Sequence, residues 1–236
     1  MRQALVLVGG RGTRLGAIAE ATPKPLLPID GERLFVDYVL ANLARQGVRE
    51  IILLSGHRGE QVEARYQGAR AGEAIVHVVR EPEPAGTSGA LLHAADRLDP
   101  EFLMLNGDTL FDFDAASLGN SLRAADVGAL ALRPIDDGGR YGNVEFVDGR
   151  IAAFREKDPA RQGPALISLG AYALRRDVLK RIAKTPCSIE NDVFPVLAGE
   201  GLLGGAVFDG YFIDIGLPDT LAQARRELPA LFGHLF

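Results

Sequence analysis

The first 28 residues constrain the fold more than any other part of the chain. Residues 4–8 (ALVLV) form a short apolar run, which is typical of a strand buried on both faces of a parallel sheet. The run ends at a glycine-rich turn, GGRGTRL. Because glycine lacks a Cβ, the backbone at Gly9, Gly10 and Gly12 can take positive φ and bind an anion through its N–H groups. The stretch therefore predicts a phosphate-binding turn directly after a buried strand.

Charge in this segment supports the same interpretation. Arg11, Arg14 and Lys24 lie close together in sequence with only Glu20 to oppose them, whereas the whole chain carries a net charge of −5. An acidic chain is a poor partner for nucleic acid or an anionic membrane, so we expect neither as a partner. A local basic pocket for a small phosphate ligand remains compatible with this balance.

Length and composition favour one large globular domain. The chain has 236 residues, 47% of them hydrophobic and 24% charged, which is enough to bury a full core. Its single cysteine, Cys187, rules out an internal disulfide and favours a reducing compartment. The first strand leaves no room for a signal peptide, and no apolar run approaches the ~18 residues of a membrane span. We therefore expect a cytoplasmic protein.

Alternating helix and strand patterns predict an α/β fold with a parallel sheet. Between residues 127 and 174, strand-like segments joined by polar turns predict antiparallel or mixed sheet added to the parallel half. The predicted helices are 34–45, one from Gly59, 90–98, 177–183, 188–197 and 219–231, and the predicted strands outside 127–174 are 50–54, 74–79, 102–105, 204–208 and 212–215.

Two aspartates are candidates for a metal site. Asp108 follows the strand 102–105, at the carboxyl end where ligands bind in open α/β sheets, although alone it also fits a turn or a helix cap. Asp214 lies in the apolar run FIDIG, where an ionised carboxylate is costly unless it is paired or bound to a cation. Two carboxylates with phosphate oxygens and water suit Mg²⁺.

Other glycine-loop classes fit less well. The lysine and Ser/Thr of a P-loop are missing, and G-G-x-G does not match the dinucleotide-binding G-x-G-x-x-G. A triphosphate loop of another kind remains. For Glu156-Lys157, after the strand-like IAAFR, both an exposed charge pair and a contact with a substrate phosphate stay open.

Seven motifs together resemble a known family. GGRGTRL, PKPLLP, EPAGTSGAL, LNGD, FREK, SLGAYAL and GYFIDIG occur in the order found in sugar-1-phosphate nucleotidylyltransferases, and they cover nearly the whole chain. Within that family, the sequence is most similar to the D-glycero-α-D-manno-heptose 1-phosphate guanylyltransferases. The N-acetylmuramate 1-phosphate uridylyltransferases come next.

The resemblance implies a Rossmann-like three-layer nucleotidyltransferase fold with a mixed, mostly parallel central sheet. It implies one domain, with a nucleotide-binding half at about 1–110 and a sugar-binding half at about 111–236. The implied reaction transfers a nucleotidyl group from an NTP, preferably GTP, to a sugar 1-phosphate, preferably the heptose, and releases pyrophosphate. Mg²⁺ is the implied cofactor, and surface-polysaccharide synthesis is the implied use of the product.

The resemblance also assigns roles to residues. Arg14, Lys24 and Asp108 would be catalytic, and Asp108 and Asp214 would hold the metal. The implied nucleotide-binding residues are Val8, Gly9, Gly10, Arg11, Gly12, Thr13, Arg14, Glu83, Gly86 and Thr87. The implied sugar-phosphate-binding residues are Asn106, Glu156, Lys157 and Gly170, and Glu190 falls in a further matching motif. Many family members have a small residue where this chain has Val8.

Two other functions remain as alternatives. One is a UTP-dependent transferase acting on N-acetylmuramate 1-phosphate or another hexose 1-phosphate, because Glu83 does not choose between guanine and uracil. The other is a non-catalytic subunit that binds nucleotide sugars. Such a subunit would be expected to lose a metal carboxylate or a phosphate-binding cation, and all of these are present here. The sequence leaves a homodimer open.

Overall fold

The computed structural model describes residues 1–10, 15–16, 21–138, 142–155, 160 and 163–236. Its strands are β1 (Gln3–Leu7), β2 (Pro28–Asp30), β3 (Arg33–Leu34), β4 (Glu50–Ser55), β5 (Arg70–Ala71), β6 (Ala74–Arg80), β7 (Glu101–Asn106), β8 (Thr109–Phe111), β9 (Gly128–Ile135), β10 (Asn143–Val147), β11 (Arg150–Arg155), β12 (Ala165–Arg175), β13 (Leu203–Val207) and β14 (Phe212–Asp214). Its α-helices are α1 (Phe35–Arg45), α2 (Gly59–Tyr66), α3 (Gly86–His93), α4 (Ala115–Asn120), α5 (Phe194–Gly199) and α6 (Pro218–Phe232).

The chain forms two compact units, each built from separate stretches of sequence. Unit 1 comprises Met1–Pro84, Leu105–Asp112 and Tyr211–Phe236, and unit 2 comprises Ala85–Met104 and Phe113–Gly210. Strand β7 begins in unit 2 and ends in unit 1. The single-domain organisation with halves at 1–110 and 111–236 stays a prediction.

Unit 1 is organised on a mostly parallel sheet. Strand β1 pairs in parallel with β4, and β4 pairs in parallel with β6, while the short β5 closes the edge antiparallel to β6. Ala4, Leu5 and Val6 are fully buried, as is the apolar centre of β4 at 51–54. Continuous apolar runs are typical of strands covered on both faces. The observed burial therefore confirms the predicted buried parallel strands.

Helices α1 and α6 in unit 1 follow from apolar spacing. In α6, buried Leu221, Ala224 and Leu228 recur at intervals of three and four residues, which places them on one face. In α1, the Asp37 carboxylate accepts a hydrogen bond from the backbone N–H of Leu34 at 2.7 Å, which satisfies one amide at the helix start. The predicted helices 34–45 and 219–231 are confirmed within one residue at each end.

Unit 2 is organised on a mixed sheet, as the change of pattern after residue 127 predicted. Its strands lie in the order β10, β11, β13, β9, β12. Strand β9 pairs antiparallel with β12 and parallel with β13. The ladder between β9 and β12 is irregular between Ser168 and Tyr172, where Gly170 takes a φ of +68°. Glycine adopts that conformation without steric cost, so it allows the bulge.

Three helices differ from the sequence prediction. The predicted helix 177–183 is a 3₁₀ helix at Arg176–Arg181. Helix α3 begins at Gly86 rather than residue 90, because its opening sequence, GTSG, reads locally as a loop. The predicted helix 188–197 is a π-helix at Ile189–Val193 that continues into α5.

The short helix α4 is capped by Asp114. Hydrogen bonds from Ser117 and Ala116 hold the pKa of that carboxyl below its usual value. Among the described residues, no helix combines the length and apolar character needed to cross a membrane.

Candidate active site

The carboxyl ends of β1 and β4 meet at Gly9 in unit 1. A Cβ on Gly9 would lie 2.7 Å from the Gly56 nitrogen and 2.8 Å from Glu81 Oε1, so only glycine fits there. Around Gly10, the described chain places no atom within 4 Å of such a Cβ. Neither glycine has positive φ, so close approach rather than left-handed backbone explains Gly9. Val8 is 1% exposed, and its N–H donates to the Leu54 carbonyl at 2.8 Å.

The LNGD turn after β7 packs against the end of β1. A Cβ on Gly107 would lie 2.5 Å from the Leu7 carbonyl oxygen and 2.8 Å from Val8 Cγ1. The Gly107 N–H donates to that same carbonyl at 2.9 Å. Because no larger residue fits, the turn carries Asn106 and Asp108 close beside the glycine-rich end of β1. This explains in physical terms why glycine precedes the aspartate.

Lys24 and Asp108 form a largely buried ion pair. Lys24 opens the 3₁₀ helix Lys24–Leu26 and is 7% exposed. Its Nζ lies 3.0 Å from Asp108 Oδ2, and the Asp108 side chain is 28% exposed. A buried ammonium group needs such a partner, because an unpaired charge loses its hydration without compensation. The structure therefore brings together two of the three residues expected to be catalytic.

Asp214 lies beside Asp108 in unit 1, although 106 positions separate them in sequence. Strands β8 and β14 pair antiparallel with Asp214 opposite Thr109. The Ile215 N–H donates to the Asp108 carbonyl oxygen at 3.0 Å. Asp214 Oδ1 accepts a hydrogen bond from the Gly216 N–H, which orients its carboxylate.

The two aspartates fit a divalent cation in chemistry and in number. Carboxylate oxygens are ligands that Mg²⁺ prefers, and it commonly takes one or two of them plus phosphate oxygens and water. Within the described residues, no cluster of three or more His, Cys, Asp or Glu side chains could hold a metal by itself. A cation at Asp108 and Asp214 would therefore need ligands from a bound phosphate or water.

Glu81 is a candidate that the sequence analysis missed. It follows β6, and its N–H donates to the Ser55 carbonyl at 2.8 Å. Its Oε1 lies against Gly9 and Gly56, at the end of β1. Glu83, which the resemblance selected, is also in unit 1 and is exposed. A carboxylate immediately after an apolar strand is the signal that could have found Glu81.

Several expected residues lie outside the described part of the chain. They are Arg11, Gly12, Thr13, Arg14, Glu156 and Lys157. Their roles stay predictions from the sequence and its resemblance.

Gly86 and Thr87, two of the implied nucleotide-binding residues, lie in unit 2 and contact residues near Cys187. Gly86 has a φ of +78°, and a Cβ there would lie 2.4 Å from the Cys187 carbonyl oxygen. The Cys187 N–H donates to the Ala85 carbonyl at 2.8 Å, and the Ser88 N–H donates to the Cys187 carbonyl at 3.0 Å. Thr87 Oγ1 accepts a hydrogen bond from the Ile189 N–H at 2.8 Å.

Steric exclusion at Gly86 can be measured. Gly86→Ala is expected to destabilise the protein by about 3 kcal/mol or more, because left-handed backbone costs a non-glycine residue about 1–2 kcal/mol and the methyl group also overlaps backbone atoms. Gly68→Ala is the matched control, because Gly68 has a φ of +77° but no atom within 4 Å of its Cβ position. It should lose only about 1–2 kcal/mol. Equal losses in urea unfolding would show that the contact with Cys187 adds nothing.

A cavity of about 640 Å³ lies within unit 2. It is lined by residues of β10, β11, β12, the π-helix and α5, among them Asn143, Phe154, Ser168, Glu190, Asn191 and Phe194. Asn143 Oδ1 and Ser168 Oγ are buried and have no hydrogen-bond partner among the described residues. Buried polar atoms normally have partners, so these two oxygens are exceptions among the residues that line the cavity.

Asn143 and Ser168 were also missed by the sequence analysis. Asn143 is 3% exposed, and its Nδ2 donates to the Gly138 carbonyl at 3.2 Å. The expected Gly170 sits two residues beyond Ser168 in β12, whereas Glu190 accepts a hydrogen bond from the Tyr172 hydroxyl. Nothing in the local sequence marks an unpartnered buried oxygen, because burial arises from the tertiary fold.

The chain belongs to the nucleotidyl transferase family, whose model matches residues 3–230. Among curated proteins, it is 34% identical over 230 residues to the D-glycero-alpha-D-manno-heptose 1-phosphate guanylyltransferase of Aneurinibacillus thermoaerophilus, covering 96% of this chain and 98% of that protein. The Campylobacter jejuni protein of the same name is also 34% identical, over 92% of this chain and 96% of its own.

A solved structure matches the fold over almost its whole length. HddC from Yersinia pseudotuberculosis complexed with GMP-PN superimposes with a TM-score of 0.84 at 29% identity, covering 97% of this chain and all of that chain. The predicted nucleotidyltransferase fold is therefore confirmed, as is the family to which the sequence was assigned.

Proposed function

We propose that this enzyme transfers a guanylyl group from GTP to a sugar 1-phosphate, with D-glycero-α-D-manno-heptose 1-phosphate preferred, and releases pyrophosphate. The observation that carries the proposal is the pairing of Lys24 with Asp108 beside Asp214 at the end of β1. The names of the two guanylyltransferases and the nucleotide analogue in the HddC structure support the choice of base and sugar.

The reaction needs charge neutralisation more than a protein nucleophile. An oxygen of the sugar phosphate attacks the α-phosphorus of GTP, a new P–O bond forms, and the bond to the pyrophosphate oxygen breaks. Both reactants are polyanions that repel each other, so most of the catalysis comes from positioning and preorganised charge. The proposed reaction therefore assigns no role to a Ser or Cys nucleophile.

The residues of unit 1 would divide this work between them. Gly9 and Gly10 present backbone at the end of β1, where the triphosphate would lie. Lys24 would offset charge on the α-phosphate and the incoming sugar phosphate. Asp108 and Asp214 would hold Mg²⁺, which when bound neutralises phosphate charge and orients the leaving pyrophosphate.

Residues outside the described chain complete the proposed site. Arg14, with Arg11, would bind the β- and γ-phosphates, and Gly12 and Thr13 would extend the turn. Glu156 would bind sugar hydroxyls and Lys157 the sugar phosphate. In unit 2, the cavity at Asn143 and Ser168 would take the sugar, because polar side chains that suit hydroxyl groups line it, among them Glu190 and Asn191.

We propose a cytoplasmic enzyme whose product enters surface-polysaccharide synthesis. NTP and sugar phosphates are intracellular metabolites, and the only cysteine is a free, buried thiol. A reducing compartment suits such a chain.

An assay of every combination of nucleotide and sugar 1-phosphate tests the proposed function. Pyrophosphate release is measured for GTP, UTP, ATP and CTP, each combined with heptose, mannose, glucose and N-acetylmuramic acid 1-phosphates, with and without Mg²⁺. We expect GTP with the heptose 1-phosphate to give the highest kcat/KM, and chelation by EDTA to abolish turnover. Activity with UTP alone would contradict the base, and no release from any pair would contradict the reaction.

A further inference from the structure

One segment of unit 2, residues 185–194, contacts both the loop at Gly86 and the cavity described above. We refer to it as the bridging segment. It contains the π-helix Ile189–Val193 and ends at the first residue of α5. Single-turn π-helical geometry is uncommon and often occurs at functional sites. Its amino-terminal end contacts the loop 85–89, and its carboxyl-terminal end contacts the cavity.

The amino-terminal end is hydrogen-bonded to the loop 85–89. Cys187 exchanges backbone hydrogen bonds with Ala85 and Ser88, and the Ser88 hydroxyl also donates to the Cys187 carbonyl at 3.0 Å. Thr87 Oγ1 accepts from the Ile189 N–H at 2.8 Å. The loop and the bridging segment therefore move as one piece, unless several buried hydrogen bonds break together.

The carboxyl-terminal end forms a wall of the cavity. Glu190, Asn191 and Phe194 all line it. The Phe194 ring stacks on Phe154, with centroids 6.4 Å apart and an interplanar angle of 13°, and meets the Tyr172 ring edge-on at 4.9 Å. These contacts give the wall a defined shape, which depends on where the π-helix begins.

Thr87 contacts that starting point, where Ser188 Oγ also accepts a hydrogen bond from the Asn191 N–H at 3.2 Å. Ile189 is 1% exposed, so its N–H cannot turn to bulk water if the threonine oxygen is removed. A buried donor left without a partner is costly, and a shift of the π-helix would avoid that cost. Glu190, Asn191 and Phe194 would move with it.

We propose that Thr87 is a positioning residue: its hydroxyl oxygen holds the π-helix so that the cavity fits the sugar 1-phosphate. The resemblance assigned Thr87 to nucleotide binding, whereas its described hydrogen bond joins it to the bridging segment, which forms a wall of the cavity. The inference rests on the proposed function, in which this cavity takes the sugar. It adds that Thr87, in the loop 85–89, sets the affinity for the sugar 1-phosphate.

Thr87→Val tests this, because valine matches threonine in shape and removes only the acceptor. We expect the KM for the sugar 1-phosphate to rise by up to about tenfold, because re-forming the cavity on binding would cost at most the lost hydrogen bond, and about 1.4 kcal/mol corresponds to a factor of ten. The KM for GTP should change much less. The conservative variant Thr87→Ser keeps the acceptor and should restore the sugar 1-phosphate KM to near the wild-type value.

Three outcomes would overturn the proposal. A raised GTP KM with the sugar KM unchanged would mean that Thr87 contacts the nucleotide directly. An equal rise in both would indicate general loosening of the unit, and no change in either would mean that the π-helix is held without Thr87. If Thr87→Val does not fold, Thr87→Ala removes the same acceptor with a smaller side chain and should raise the sugar KM in the same direction.

The wild-type protein in the same assay distinguishes failure of the positioning role from failure of the proposed function. If the wild type releases no pyrophosphate from any substrate pair, the reaction is wrong, and hydrogen exchange still tests the contact. Thr87→Val should then accelerate exchange of the amides at 189–193 relative to Thr87→Ser. Equal exchange in the two variants would overturn the positioning role independently of activity.

Discussion

Asp108→Asn is expected to lower kcat/KM for pyrophosphate release by about 10³-fold, which corresponds to roughly 4 kcal/mol of transition-state stabilisation. Asparagine keeps the size of the side chain but removes the charge that would hold Mg²⁺ and that pairs with Lys24 at 3.0 Å. The measurement is steady-state release across a Mg²⁺ titration, at a temperature where circular dichroism shows each variant to be folded.

Asp112→Asn is a matched control for that change. Asp112 lies four positions further on, just after β8, and its carboxylate pairs with Arg45. Both side chains are more than one third exposed, so this pair contributes only about 0–1 kcal/mol. We expect kcat/KM to stay within about twofold. If Asp108→Asn stays within tenfold of wild type, or Asp112→Asn loses as much, the metal assignment is wrong.

Asp214→Asn should reproduce the loss seen for Asp108→Asn. Asparagine Oδ1 can still accept from the Gly216 N–H, so the turn after β14 is expected to survive. Because both carboxylates would serve one cation, the double variant should lose little more activity than either single variant. Losses that multiply would instead indicate two independent roles.

The parallel half of the fold was predictable because burial on both faces leaves a direct mark in sequence. Residues 4–8 and 50–54 are continuous apolar runs, and both are buried strands. Gly86 shows the opposite case. Glycine, threonine and serine favour a loop locally, but hydrogen bonds to Cys187, a hundred residues away, allow α3 to begin there.

Asp108 and Asp214 could be selected from the sequence as candidates, but the assembly of the candidate site could not. Asp108 and Asp214 stood out because each is a carboxylate beside an apolar run. Their proximity depends on the pairing of β8 with β14, a non-local contact that periodicity does not encode. Asn143 and Ser168 gave no signal at all, since the lack of a partner for their oxygens within the described part of the chain becomes evident only once the cavity is formed.

Lys24→Met is expected to lower kcat/KM by about 10²–10³-fold, the range found when a preorganised charge-stabilising donor is removed. Methionine retains most of the aliphatic length of lysine, so packing around the 7%-exposed side chain should change little. Lys180→Met is the control, because Lys180 pairs with Asp177 on the surface and both side chains are well exposed. A kcat/KM for Lys24→Met within a few-fold of that control would remove Lys24 from the mechanism.

Combining Lys24→Met with Asp108→Asn separates the chemical role of the pair from its structural role. Asp108→Asn leaves a buried ammonium group without its counter-charge, and breaking a buried pair in this way costs about 3–5 kcal/mol. Lys24→Met should cost less, because the Asp108 carboxylate is 28% exposed and can contact water. In the double variant no charge is stranded, so its free energy of unfolding should exceed that of Asp108→Asn.

Activity should not follow stability in that double variant. If the pair serves phosphate transfer, kcat/KM stays at or below the value of the poorer single variant even though the protein is more stable than Asp108→Asn. Urea unfolding and pyrophosphate release on the same four proteins measure both quantities. Recovery of activity together with stability would mean that the pair only supports the fold, and a double variant less stable than Asp108→Asn would contradict the stranded-charge argument. The opposite response of the two measurements is therefore what distinguishes an ion pair that serves catalysis from one that serves only folding.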